Sequence, residues 1–172
     1  MITPTYVRKM ARYNIWQNSQ ISGFLDVMDE AEVTRDRGAF FGSILGTLNH
    51  ILWGDGMWMS RWYDPVEKPA QPITDTTGMT ADLAAWRTAR MEMDQHIDNW
   101  AQGLDETRLV GDLTWYSGAT GQEQSMPLAL CITHFFNHQT HHRGQVHAML
   151  TAAGSKAPVS DLVFMPEDAG WP

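Results

Sequence analysis

Apolar and aromatic residues recur at steps of three and four positions along four long stretches of the chain, a spacing that places side chains on one face of an α-helix. The pattern predicts helices over residues 5–28, 39–63, 81–104 and 127–153, with Thr80 as the N-cap of the third. Each helix needs a partner for its apolar face. We therefore expect an all-α fold, an antiparallel four-helix bundle.

The connections between these helices carry their own signals. Residues 64–79 are rich in proline and short polar residues, which predicts a surface connection long enough to allow a crossover. Residues 113–116 and 122–125 flank a Ser-Gly-Ala-Thr-Gly stretch, which favours a short β-hairpin or irregular segment between the third and fourth helices. Pro127 is expected to begin the last helix and Gly154 to end it.

The tail and the composition complete the outline of the fold. Residues 155–172 contain three prolines among apolar residues such as Trp171, and we expect them to lie over the bundle as an ordered strap. Hydrophobic residues make up 43% of the chain and charged residues 19%, so a core can form. With 172 residues, the whole chain, 1–172, is expected to be one domain.

Charge and cysteine content exclude several classes of partner. Twelve basic residues against twenty acidic ones give a net charge of −8, which disfavours contact with nucleic acid. No stretch has the roughly 18 continuous apolar residues that cross a bilayer, so no membrane partner is expected. The single cysteine, Cys131, excludes an internal disulfide and fits a reducing compartment. These features predict a cytoplasmic protein.

The main chemical signal is a cluster of histidines, since five of the seven fall within fourteen positions of the last predicted helix. His138 and His142 are separated by about 40° around the helix axis and one turn along it. Both fall on the core-facing side of that helix. Two buried neutral imidazoles need partners for their ring nitrogens, which a divalent cation supplies. Internal hydrogen bonds are the alternative, because His-x-x-x-His also occurs in ordinary helices.

A third ligand is needed, and His50 in the second helix is the best candidate. Its slender neighbours would let another helix approach and leave space above an imidazole; they are Ser43, Gly46, Thr47 and Gly54. The competing candidates are His134, Asp55 and His96. His134 shares its helix with His138 and His142, and three ligands along one helix do not easily converge on a tetrahedral ion. We therefore predict a metal site formed by His50, His138 and His142.

Other residues near these positions have a chemical and a structural interpretation. Asp55, Asn49, Asn137 and Gln145 either orient a ligand by a hydrogen bond or lie on the helix surface. Arg143 is expected to pair with a carboxylate of a neighbouring helix or subunit. Cys131 is expected to be buried and inert.

Apolar residues of the second helix also have a predicted role near the ion. Trp53, Met57 and Trp58 are expected to form the wall of an apolar pocket over it. Most of the remaining tryptophans and methionines are assigned to the core.

Three segments together resemble the DinB family of four-helix-bundle metalloproteins: residues 13–18 (YNIWQN), 48–55 (LNHILWGD) and 136–145 (FNHQTHHRGQ). The most specific part is His-x-x-x-His-Arg-Gly-Gln, because helix propensity does not explain Arg-Gly-Gln after the second histidine. The resemblance spans nearly the whole chain. It implies that one histidine of the second helix and two of this run bind a divalent ion, here His50, His138 and His142. It also implies a homodimer.

The resemblance implies metal-dependent S-transfer or isomerisation with low-molecular-weight thiols, or hydrolysis. Three histidines leave a coordination position open, as in catalytic sites. Imidazole ligands favour zinc first, with nickel, iron or copper as alternatives. The hypothesis is a metal-dependent enzyme that activates a thiol or water to act on a small-molecule substrate. The alternatives are a non-catalytic, metal-stabilised bundle that serves as a binding module, and an interaction protein without metal. The sequence identifies no general base.

Overall fold

A computed structural model describes residues 2–169 of the chain. The α-helices are α1 (Pro4–Leu25), α2 (Glu30–Thr34), α3 (Ile44–Met59), α4 (Leu83–Gln102) and α5 (Leu128–Ala152). Two antiparallel strands, β1 (Asp112–Ser117) and β2 (Gln122–Pro127), form the hairpin between α4 and α5. Short 3-10 helices lie at Ile73–Gly78, Glu106–Leu109 and Leu162–Phe164. None of the helices in residues 2–169 combines the length and apolar character that a bilayer crossing requires.

The four long helices form the predicted bundle, in which α1 packs antiparallel to α4 and α3 packs antiparallel to α5. The contacts that fix these directions are Arg8 with Leu104 and Arg87 with Asp26 for the first pair, and His50 with His142 and Trp58 with His134 for the second. The all-α fold and the β-hairpin are confirmed.

The long connection after α3 is a crossover, which the sequence had left open. Asp55 contacts Arg90, and further along both segments Trp62 stacks on Trp100, so α3 and α4 run in the same direction. Between the two helices, the chain must therefore return to the end of the bundle at which α3 begins. Residues 60–82 make this return across the bundle and bring the 3-10 helix Ile73–Gly78 against α3.

Two predicted helix starts are wrong, that of α3 by five residues and that of α4 by two. α3 begins at Ile44 instead of residue 39, because Gly38 and Gly42 take positive φ angles of 65° and 74° that no helix continues. The N-cap of α4 is Asp82, whose side chain accepts from the amide of Ala85. Thr80, the predicted cap, lies outside the helix in the crossover.

The limits of α5 are nearly as expected. Pro127 ends β2 and directly precedes the helix instead of being its first residue. Gly154 follows the last turn with φ 78°, the left-handed conformation in which glycine commonly stops a helix. The last helix is therefore confirmed to within one residue at each end.

The tail lies along α1, as expected of a strap. Gln17 Nε2 donates to the carbonyl of Val159 at 2.7 Å, and Arg12 Nη2 donates to the carbonyl of Ala169 at 3.0 Å. These bonds hold residues 155–169 against the first helix. Trp171 and Pro172, which were part of the predicted strap, lie outside the described residues.

A buried polar layer separates two hydrophobic clusters in the core. One cluster surrounds Leu48 and Trp86, and the other surrounds Ile97 and Phe135. Between them, each of the four long helices contributes fully or nearly buried polar side chains: Asn14, Asn18, Asp55, Arg90, Asp94, Gln139 and Arg143. We call these seven residues the polar layer. Burying such groups is costly unless they are paired, so their partners matter to the fold.

Gly46→Ala is expected to lower the free energy of unfolding by about 1–3 kcal/mol, the cost of overpacking a well-filled core. A Cβ atom at this position would lie 2.3 Å from the carbonyl oxygen of Phe41, so backbone would have to move. The matched control is Gly144→Ala in α5, where nothing lies within 4 Å of the added atom. Urea unfolding should show destabilisation by the first substitution only, and equal effects would contradict the predicted clash.

Candidate metal centre

Three histidines of α3 and α5 converge at the seam between these helices. His50, His138 and His142 each offer a ring nitrogen that lies within 4.8 Å of the other two. His50 Nε2 is 3.1 Å from His138 Nε2. Two donor atoms of a tetrahedral zinc site, each bonded at about 2.0–2.1 Å, are separated by about 3.3 Å. The structure thus brings together the three histidines that the sequence selected, at a spacing that suits one ion.

Hydrogen bonds to the far ring nitrogens orient two of these imidazoles. His142 Nδ1 lies 2.8 Å from Gln145 Oε1, an amide oxygen that can only accept, so Nδ1 carries the proton. The Nε2 lone pair of His142 is then free. His50 Nδ1 lies 3.0 Å from the hydroxyl oxygen of Thr76, a buried residue of the crossover. Such partners fix the tautomer of metal-binding histidines.

Burial keeps the three imidazoles neutral. Desolvation, with a smaller repulsion from His142, lowers the pKa of His50 to about 4. Desolvation and the neighbouring histidines, His142 first, lower the pKa of His138 to about 3. The pKa of His142 is also lowered, mainly by desolvation. All three are therefore unprotonated at neutral pH, the state in which imidazole binds a metal ion.

Small and aromatic neighbours shape the space around the rings. A Cβ atom on Gly54 would lie 2.7 Å from His138 Cε1, so the absence of a side chain there is what admits the His138 ring. The ring of Phe41 stacks on His50 with centroids 3.8 Å apart and meets His142 edge-on at 5.3 Å. The Trp53 ring is nearly parallel to that of His50, with centroids 6.3 Å apart. The prediction that a residue with a small side chain near His50 leaves space for an imidazole is thus confirmed for Gly54.

The polar layer lies directly behind the histidines. Asp55 is fully buried, accepts from Arg90 Nη1 at 2.6 Å and from Gln139 Nε2 at 2.8 Å, and is therefore neither an ion ligand nor a surface residue. Arg143 is buried and donates to Asn14 Oδ1, so its direct partner is an amide and not the expected carboxylate. Gln139 and Arg143 immediately follow His138 and His142, which links the layer to the histidine cluster.

The remaining sequence candidates take other positions. His134 is exposed and packs against Trp58. His96, a residue of α4, lies beside Tyr63. Neither histidine belongs to the cluster. Asn49 is buried and donates to the carbonyl oxygens of Thr77 and Thr80, so it holds the crossover and not a histidine.

Three further side chains can be compared with the roles predicted for them. Asn137 is exposed on the surface of α5, whereas Gln145 orients His142, the role that the sequence had suggested for it. Cys131 is buried as expected, and burial raises the pKa of its thiol, which keeps it in the unreactive protonated form.

An open cleft of about 770 Å³ lies next to the histidine cluster. Trp53, Met57 and Trp58 form part of its wall, as the sequence predicted for an apolar pocket. The ring centroids of Trp53 and His50 are 6.3 Å apart, and His134, which also lines the cleft, lies 6.0 Å from His138 between ring centroids. A molecule bound in the cleft would thus lie beside the histidines.

Comparison with known proteins agrees with this architecture. The sequence model of the DinB family matches residues 1–171. The curated relative "Protein DinB" of Bacillus subtilis (strain 168) is 21% identical over 160 residues, which cover 89% of each chain. A crystal structure of a DinB-like protein from Bacillus cereus ATCC 10987 superposes with a TM-score of 0.56 at 15% identity, over 84% of this chain and 90% of that one, and shares its fold. The chain belongs to the DinB family.

Proposed function

We propose that the protein is a metal-dependent enzyme that holds a divalent transition ion with His50, His138 and His142 and activates a thiol or water for transfer or hydrolysis. The observation that carries this proposal is the convergence of three neutral imidazoles from two helices on one point. The hydrogen bonds of His142 Nδ1 to Gln145 and of His50 Nδ1 with Thr76 support it, since they orient the rings as they would for a metal ligand.

The residues around the histidines would have different roles in such a site. When bound, the ion supplies Lewis-acid chemistry, lowering the pKa of a thiol or water and polarising an electrophile. Phe41 covers His50 on one side and shields it from water. The cleft beside Trp53 is where we place the small-molecule substrate. Three protein ligands leave room for that substrate, as in catalytic and not closed structural sites.

Zinc is the ion that we propose first, with nickel, iron or copper as alternatives, because imidazole suits all four. A low-molecular-weight thiol as co-substrate and a homodimeric assembly are part of the same proposal, and the family resemblance is what supports them. A cytoplasmic location stays a prediction, supported by the single cysteine.

The proposal is tested by the ion content and the turnover of untagged protein. We expect close to one transition ion per chain by mass spectrometry of the purified protein. Holoprotein incubated with cysteine, glutathione or coenzyme A and 1-chloro-2,4-dinitrobenzene should show thioether formation, or with p-nitrophenyl acetate should show hydrolysis. Chelation and His142→Ala should each abolish this turnover while circular dichroism shows the fold retained. Turnover that survives both would refute the catalytic role of the ion.

The second candidate function is a non-catalytic bundle stabilised by the ion. The observation that favours it is that the ligands come from α3 and α5, so that one ion would tie the two helices together. Protein that unfolds on chelation and turns over no acceptor would support this alternative. Protein that never contains an ion would support internal hydrogen bonding, since His50 Nε2 and His138 Nε2 already lie 3.1 Å apart.

Gly54→Ala is expected to weaken ion binding by about 10- to 100-fold, the range seen when the support of a metal ligand is removed. The added Cβ would lie 2.7 Å from His138 Cε1 and force the ring out of place, although no ligand is deleted. Because an imidazole can rotate, folding should suffer little. Gly144→Ala is the control, and competition with a chromophoric chelator measures the affinity. Unchanged affinity in Gly54→Ala would contradict the role of His138.

A further inference from the structure

The cleft beside the histidines is built from three different parts of the fold. The floor comes from α3 and the residues just after it, including Trp58 and Arg61. One wall is the crossover segment 68–73, which Trp53 holds by donating from Nε1 to the carbonyl of Gln71 at 2.9 Å. The opposite wall is the hairpin, which contributes Trp115. The walls are thus held by specific contacts, which is typical of a preformed binding site.

Arg61 is the most unusual group in this cleft. Its guanidinium carbon lies 4.2 Å from the ring centroid of Trp58 and 5.1 Å from that of Trp115. No carboxylate lies within ion-pair distance of it, and its side chain makes no hydrogen bond, among residues 2–169. Its burial lowers the pKa of the guanidinium, which still remains charged at neutral pH. A guanidinium that the two rings hold in place, with no carboxylate beside it, is available to pair with the anionic group of a ligand.

The charges of the residues that line the cleft also favour an anionic ligand. Two basic side chains, Arg61 and Lys68, line the cleft, and none of its lining residues is acidic. The chain as a whole carries a net charge of −8. A cleft whose only charged side chains are positive favours an anionic ligand over a neutral or cationic one, even on a protein of net negative charge. The apolar part of the lining combines tryptophan rings with aliphatic side chains such as Met57 and Ile73, which suits an aromatic or apolar body.

We infer that this cleft binds a small organic anion, an aromatic or apolar body carrying one carboxylate or sulfonate that pairs with Arg61. The anion pairs with the guanidinium, and the body lies along the wall that Trp58 and Trp115 form, their rings meeting edge to face with centroids 5.5 Å apart. Because His134, one of the residues lining the cleft, lies beside His138, this ligand would be the substrate of the proposed enzyme; that role rests on the proposed function, whereas the binding itself does not.

The test compares naphthalene-2-sulfonate with naphthalene-2-methanol, which has the same rings and no charge, by isothermal titration calorimetry. Wild-type protein is expected to bind the sulfonate at least about tenfold more tightly, as one charge-assisted hydrogen bond in a desolvated site provides. Arg61→Gln should remove this preference and leave binding of the alcohol unchanged. Arg61→Lys, which keeps the charge, should retain most of the preference even where stacking on the tryptophans is weakened.

Arg108→Gln is the matched control, because it removes the same charge from an exposed arginine that does not line the cleft. It should keep the wild-type preference. Equal binding of the two probes by wild-type protein, or a preference that survives Arg61→Gln, overturns the inference. The measurement is repeated on His142→Ala. A preference retained there supports the cleft independently of the ion, whereas a preference lost with the ion shows that the sulfonate binds the metal and not Arg61.

Discussion

His50→Ala, His138→Ala and His142→Ala are each expected to lose stoichiometric binding of a divalent transition ion. Each substitution removes one of three donors, so the affinity should fall by more than the roughly 10- to 100-fold that loss of an outer hydrogen-bond partner costs. All three rings are neutral at pH 7, so no protonation has to be overcome before binding. Mass spectrometry of untagged protein after dialysis against zinc measures the ion content.

His134→Ala, His141→Ala and His96→Ala are the matched controls for this experiment. The ring of His141 lies 4.7 Å from that of His142 between centroids, and the ring of His134 lies 6.0 Å from that of His138, yet neither residue belongs to the converging group. His96 lies on α4, away from the group. All three variants should bind one ion as the wild type does. If the first three variants instead keep their ion, the assigned ligand set is wrong.

The helices and the histidine cluster could be predicted because both follow from helix periodicity. Steps of three and four residues define the buried faces, and they place His138 and His142 on one side of α5. The choice of His50 rested in part on its slender neighbours, and for one of them, Gly54, the structure shows what the missing side chain allows. The space that this glycine leaves is filled by the His138 ring.

What the sequence did not reveal comes from contacts between distant segments. Thr76 lies in a segment that reads as a surface loop, and only the crossover brings its hydroxyl to His50 Nδ1. Phe41 precedes α3 and was assigned to the helix, whereas the positive φ of Gly42 turns it onto the His50 ring. No local pattern encodes such a contact, because it depends on the path of the connection.

One signal for the polar layer was present in the sequence. Arg90 occupies a position in the apolar stripe of α4, where a charge needs a buried partner. The structure supplies Asp55 from α3 and Asp94 from the next turn of α4. The partner on α3 could not be chosen from spacing alone, because the parallel course of α3 and α4 was not fixed by the sequence.

The layer also connects the fold to the histidines. On α5, His138 and His142 face the seam with α3, while the next residues, Gln139 and Arg143, face the bundle interior. Asp55 holds Gln139, and Asn14 holds Arg143. A helix cannot rotate about its axis without breaking these bonds, so they set the direction in which the two histidines point. Stability of the layer and geometry of the site are therefore expected to change together.

Asp55→Ala is expected to lower the free energy of unfolding by about 3–5 kcal/mol, the cost of breaking a buried ion pair from one side. Asp55 is fully buried and accepts from Arg90 and Gln139. Its removal leaves the two buried arginines of the layer, Arg90 and Arg143, with Asp94 as the single remaining carboxylate of that layer. Urea unfolding followed by tryptophan fluorescence measures the change.

Asp26→Ala is the control, because Asp26 also pairs with an arginine, Arg87, at 2.6 Å, but its side chain is 62% exposed. An exposed ion pair of this kind contributes less than about 1 kcal/mol to the free energy of unfolding. Comparing the two variants therefore distinguishes the effect of breaking a buried ion pair from that of breaking an exposed one. Ion affinity should fall in Asp55→Ala as well, since Gln139 loses the partner that fixes the face of α5, and should stay unchanged in Asp26→Ala. A loss below 1 kcal/mol in Asp55→Ala would show that the layer rearranges around the missing carboxylate, and that it does not hold the histidines in place.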